Sequence, residues 1–180
     1  MSRARAEAWT RALREHEQAL RGFRDAALQV PVAAWARAAR RGGWSPAQVV
    51  EHVALAYELS AADLRGEGAM RARVGPAYQR VLRWVLLPHV LFHRSIPVRA
   101  QAPREIRPGE RPSPRDVLLL RLQRAAAAFE REAERAHQTG ARARHPYFGP
   151  ISALQALRFA AVHTLHHARQ LPGPASTPNL

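Results

Sequence analysis

Apolar residues recur along the chain at helical spacing. Between Glu7 and Gln29 they fall at Trp9, Leu13, Leu20, Phe23 and Ala27, which draws one stripe down a helix. Gly42 and Gly43 interrupt that pattern. A second long helix is predicted from Ser45 to about Leu64. Ser45 offers a hydroxyl cap, Pro46 suits the first helical position, and Gln48 stands three residues after the cap. Val49, Val53, Ala56 and Ser60 share one face of this helix, with His52 and Leu59 beside them. The segment from Pro76 to His93 is apolar nearly all round and predicts a helix kinked or split at Pro88. Such a helix needs cover, so it either completes the core or forms a subunit interface.

From Ile96 to Pro114 the prolines at 97, 103, 108, 112 and 114 predict an extended crossover without regular structure. Ser113-Pro114-Arg115-Asp116 opens a third long helix that runs to about Gln138, with Leu118, Leu122, Ala125, Phe129 and Ala133 as its buried stripe. A loop is expected over 141–150. The last helix starts at Ser152, capped again with Gln155 three residues on, and ends near Leu171 before Pro172-Gly173-Pro174. No strand pattern emerges. The expected fold is all-α: an antiparallel four-helix bundle with a long crossover connection, occupying 1–172 as one domain, followed by a disordered tail over 173–180.

Composition narrows the chemistry. The 180 residues are 47% hydrophobic, enough for a real core, and no cysteine is present, which excludes disulfides, thiolate metal sites and cysteine nucleophiles. No leader pattern opens the chain, and its most apolar stretch, Val81 to Phe92, is too short to span a bilayer, so a cytoplasmic location is expected with no membrane partner. The formal charge is +14, and every one of the 28 basic residues is arginine. Clustered arginine would attract a polyanion, but residues such as Arg3, Arg40, Arg71, Arg104 and Arg142 are scattered. No aromatic residues interleave with them as a stacking platform, so no specific nucleic-acid partner is expected.

The distinctive chemistry is histidine. His163 and His167 are four apart on the last helix and project from one face, so both imidazoles can bind one metal ion from the same side. Phe159 lies one turn earlier on that face and argues that it points inward. Gln170, a turn later, is placed to orient a ligand from behind. An open site needs a third ligand, and His52, beside the apolar stripe of its helix, is the candidate. Each histidine also has an ordinary reading, the pair as surface or core residues and His52 as a hydrogen-bonded core histidine. His166 should sit beside the site, turned away by about a hundred degrees. His16, His89, His93, His137 and His145 carry no pattern linking them to the pair, although His89 and His93 form a minor alternative pair. Glu51 points away from the His52 face, and Glu58 and Tyr147 are weak catalytic candidates. Glycine-rich phosphate loops, an HExxH motif and a Gly-x-Ser-x-Gly elbow are all absent.

Three segments resemble the DinB/YfiT-like superfamily: Trp44-Ser45-Pro46-Ala47-Gln48-Val49-Val50-Glu51-His52, His145-Pro146-Tyr147-Phe148-Gly149-Pro150, and His163-Thr164-Leu165-His166-His167-Ala168-Arg169-Gln170. The similarity weakens between Glu67 and Pro112. It implies a four-helix bundle with a long crossover, a single divalent metal ion on His52, His163 and His167, and homodimers. Zinc or nickel is the first expectation for the metal, with iron or manganese next. The resemblance also implies either a transferase that joins a low-molecular-weight thiol such as bacillithiol to a small-molecule electrophile, or a metal-dependent hydrolase. The thiol transferase is the preferred expectation. A non-catalytic metal-binding or interaction protein, using the Val81 to Phe92 segment as its contact surface, is the alternative.

Overall fold

The computed structural model describes residues 3–38, 42–68, 71, 73–97 and 102–172, so the expected tail lies outside the described residues. Six helices and a small hairpin follow in order: α1 Arg3–Gln29, α2 Val32–Trp35, α3 Pro46–Leu64, α4 Pro76–His93, α5 Arg115–Thr139, β1 Arg142–His145, β2 Gly149–Ser152 and α6 Ala153–Ala168. A single turn of 3₁₀ helix at Arg104–Ile106 sits within the crossover. Among the described residues no helix is long and apolar enough to cross a membrane.

Two helix starts are set by local chemistry. The Ser45 and Ser152 side chains each accept from the backbone N–H of the glutamine three residues on, and each glutamine side chain accepts from the backbone N–H of its serine. These reciprocal caps are worth about 1 kcal/mol each and fix where the helices that carry the histidines begin. The third expected serine cap does not form. Pro114 occupies the cap of α5 without a side-chain bond, because the helix starts one residue later than the serine needs.

The core is built on small residues. Along α1 the buried positions are Trp9, Ala12, His16, Ala19, Phe23 and Ala27, whereas the expected stripe residues Leu13 and Leu20 are only partly buried. Ala126, Ala133 and Ala136 of α5 are likewise enclosed. Alanines at the contact let helices approach closely, so the stripe rotates toward them and brings a histidine into the interior.

α3 packs chiefly on α5, and α6 chiefly on α1. Arg121 bridges to Glu51 and Glu58, and Arg135 donates to the Leu64 carbonyl, so α3 and α5 run in the same direction. The long crossover makes that parallel pairing possible. Trp9 stacks on His137 and His16 bonds Glu130, so α1 runs against α5.

Three further details depart from expectation. α2 is a short extra helix, and Trp35 on it donates its indole N–H to the Ser113 carbonyl. α4 runs unbroken through Pro88. It covers the bundle with Leu87, Val90 and Leu91 but leaves Trp84 72% and Phe92 81% exposed on the chain. The segment read as a loop over 141–150 holds an antiparallel hairpin, with Arg142 opposite Ser152 and His145 opposite Gly149. Strands of four residues are too short to show alternation in a sequence. Gly149 closes the hairpin at φ +65°, a conformation that favours glycine, and a Cβ there would also press on the end of the Gln79 side chain at 2.9 Å.

Candidate metal centre

His52, His163 and His167 converge. Their ligand nitrogens all lie within 4.8 Å of one another. His163 Nε2 is 3.3 Å from His52 Nε2 and 3.2 Å from His167 Nε2. The i,i+4 spacing on α6 places one pair, and the packing of α3 across the cavity brings in the third.

The other ring nitrogens decide which atoms are free to ligate. His52 Nδ1–H donates to the Ile106 carbonyl at 2.7 Å, which leaves the lone pair on Nε2. His167 Nδ1–H donates to Gln170 Oε1 at 2.9 Å, with the same result. The Gln170 amide nitrogen in turn donates to His166 Nε2 at 3.1 Å, which fixes the amide orientation. Two lone pairs therefore face His163 Nε2, which carries one proton at most. A cation satisfies all three nitrogens at once. A tetrahedral ion with bonds of about 2.05 Å needs neighbouring nitrogens about 3.3 Å apart, which these two separations match.

The electrostatics keep the imidazoles neutral. Burial lowers the pKa of His52, with the bond to Ile106 opposing it. Burial also takes His163 well below its ordinary value, and the neighbouring His167 and His52 add to the effect. His167 is pushed down to about 3 by burial and then by His52. Neutral imidazole is the form that ligates.

The supporting shell comes from long-range packing. The α3 residues Gln48 and Glu51 hold the crossover at Gly109, Gln48 donating to its carbonyl and Glu51 accepting from its N–H. That attachment delivers Ile106 to His52. Trp44 lies against the His52 ring at 4.7 Å, and Phe159 stacks on His163.

The match to known families decides the family. The family model described as the DinB superfamily matches residues 4–171. The chain belongs to the DinB superfamily. No curated protein and no solved structure gives a significant match.

In this DinB bundle the three histidines open into a cavity of about 1060 Å³ between α3, α4, α6 and the hairpin. Much of its lining is apolar, with Leu82, Leu86 and Val90 of α4 joined by Phe148 and Phe159. Val49, Ala56 and Ser60, which share one face of α3, line the cavity, and Val49 is at the same time part of the buried core. Tyr147 lines it too, as does His166, beside the triad. Glu58 does not line it: it forms a two-point ion pair with Arg121 at 2.7 and 2.8 Å. His89 and His93 lie against each other with tilted rings on the exposed side of α4 and do not line the cavity.

His145 has a role its sequence position did not reveal. Its Nδ1 accepts from the backbone N–H groups of Tyr147 and Phe148, and burial lowers its pKa to about 3, so it locks the hairpin turn as a neutral ring. Its place in His145-Pro146-Tyr147-Phe148-Gly149 was the only local signal.

Proposed function

We propose that this DinB-superfamily chain is a metal-dependent enzyme in which His52, His163 and His167 hold one divalent ion through Nε2. The observation that carries the reading is the convergence of three neutral imidazoles, two with tautomers fixed from behind, beneath a large and mostly apolar cavity. Three nitrogen ligands suit zinc or nickel best. Bound there, such an ion supplies Lewis acidity that turns a thiol or a water into a nucleophile near neutral pH.

The chain's own residues favour the thiol. Among the described residues that line the cavity the one carboxylate is Asp63, which accepts a hydrogen bond from the Arg144 backbone N–H and whose pKa burial raises. A thiol needs less help from a general base than water does. Arg144 and Arg169 bring positive charge to the cavity, which suits a thiol bearing carboxylates, such as bacillithiol. The apolar wall from α4 accommodates the body of a small electrophile and excludes water from it.

Metal analysis of the purified protein, followed by an assay with bacillithiol and a reporter electrophile, tests the reading. One equivalent of metal and thiol-dependent product are expected. A His52→Ala variant that retained full metal content would overturn the site. Turnover of an ester without added thiol would make the enzyme a hydrolase.

A further inference from the structure

A second polar cluster lies inside the bundle, outside the triad. His16 Nδ1 is 2.8 Å from Glu130 Oε1, and His16 Nε2 is 2.8 Å from the Tyr57 hydroxyl. The Tyr57 hydroxyl is also 2.8 Å from Thr164 Oγ1. His16 and Thr164 are fully enclosed, and Tyr57 is nearly so.

The direction of these bonds follows from the groups. A carboxylate only accepts, so His16 Nδ1–H donates to Glu130, and in a neutral ring this leaves a lone pair on Nε2. Tyr57 donates to that lone pair, and its oxygen accepts from the Thr164 hydroxyl. Burial raises the Tyr57 pKa, so the phenol keeps the proton this order requires. Every member is satisfied, which is what a buried network needs to give a unique arrangement.

Each residue comes from a different long helix: His16 from α1, Tyr57 from α3, Glu130 from α5 and Thr164 from α6. The bundle is assembled as two close pairs, α1 with α6 and α3 with α5. The histidine triad straddles those pairs, with His52 on α3 and His163 and His167 on α6. Alanine-rich contacts and a cavity between α3 and α6 do little to fix how one helix is rotated or shifted along the other. The Tyr57–Thr164 bond does fix it, beside the site. Thr164 directly follows His163, and Tyr57 lies little more than a turn beyond His52.

We infer that the Glu130–His16–Tyr57–Thr164 network is a positioning device that sets His52 against His163 and His167. Tyr57 and Thr164 are its decisive positioning residues. This inference rests on the metal-site reading for its purpose, but the geometry it controls exists in the metal-free chain.

The test compares Tyr57→Phe and Thr164→Val, which remove the bond, with Thr164→Ser, which keeps a hydroxyl. Leu122→Ala on α5, buried but not lining the cavity, serves as a destabilised core control. Zinc titration is expected to show affinity at least about 10-fold weaker in Tyr57→Phe and Thr164→Val, as for other residues that orient metal ligands from behind. Thr164→Ser and Leu122→Ala should bind as the wild type does. Long-range proton–nitrogen spectra of the metal-free proteins provide the independent readout. The His52 and His163 ring signals should shift in Tyr57→Phe and Thr164→Val and stay fixed in the two controls. Unchanged ring signals in Tyr57→Phe and Thr164→Val, or equal shifts in Leu122→Ala, would overturn the inference. A wild type that takes up no zinc would instead overturn the metal reading, and the spectra would still decide the positioning role.

Discussion

His52 on α3 donates from Nδ1 to the carbonyl of Ile106 at 2.7 Å, across 54 residues of chain. This bond makes Nε2 the ligating atom and ties the site to the crossover. The crossover is held in turn by Gln48 and Glu51 at Gly109. The double variant Gln48→Ala/Glu51→Ala should therefore weaken metal binding by roughly 10-fold, the scale seen when a ligand loses its orienting partner. Calorimetric titration checks it. Metal affinity equal to wild type would show that the crossover is dispensable.

Gln170 holds the other fixed tautomer. Gln170→Ala removes the acceptor for His167 Nδ1–H and should weaken metal binding by about 10-fold to 100-fold. Gln170→Glu retains an acceptor and should bind nearly as well as wild type. Competition with a chromophoric chelator separates the three proteins.

Acid should destabilise the metal-free protein before it protonates most carboxylates. His167 and His145 are both lowered to about 3, and His52 and His163 are lowered as well, from the ordinary value of 6.5. Below that value the unfolded chain binds protons that the folded chain refuses. Stability is thus full above it and falls as pH drops toward 3, each such histidine contributing a slope of up to about 1.4 kcal/mol per pH unit. Denaturant midpoints measured from pH 7 to 4 should decline steadily. The metal-loaded protein should start higher and fall more steeply, because protons and metal compete for the same nitrogens.

Glu58 is bound to Arg121 and does not line the cavity. Glu58→Gln should leave metal content and any thiol-dependent turnover unchanged. Because the pair is about a third exposed, the variant should also cost no more than about 1 kcal/mol in stability. A large loss of turnover at unchanged stability would bring Glu58 back as a catalytic candidate.

The hairpin turn offers a stability test. Gly149→Ala forces a side chain onto a left-handed residue facing Gln79, so Tm should fall clearly. Pairing it with Gln79→Ala relieves the clash but not the backbone strain, so Tm should recover only in part.

Not all of the fold could be read from the chain. The stripe of Val49, Ala56 and Ser60 was legible as an apolar face, but the same face would suit a neighbouring helix or an open volume. Only the placement of α4 across from it makes it a cavity wall. The heavier Leu13 and Leu20 mark an apolar stripe on α1, whereas close packing through Ala12 and Ala19 turns His16 inward. Nothing near His16 in sequence marks it as the partner of Tyr57 and Glu130.

The sequence by itself determined the features whose partners lie within a turn or two. The serine–glutamine caps, the α3 and α6 starts, the His163–His167 pair and the Gln170 position all close over three or four residues. Helix geometry alone fixes those distances. Tertiary structure decided the rest: the Ile106 carbonyl behind His52, the parallel α3–α5 pair, and the Tyr57–Thr164 bond beside the triad. These depend on how each helix is rotated and shifted against its neighbours. An apolar stripe gives the face that turns inward, but not the depth or register at which another helix meets it.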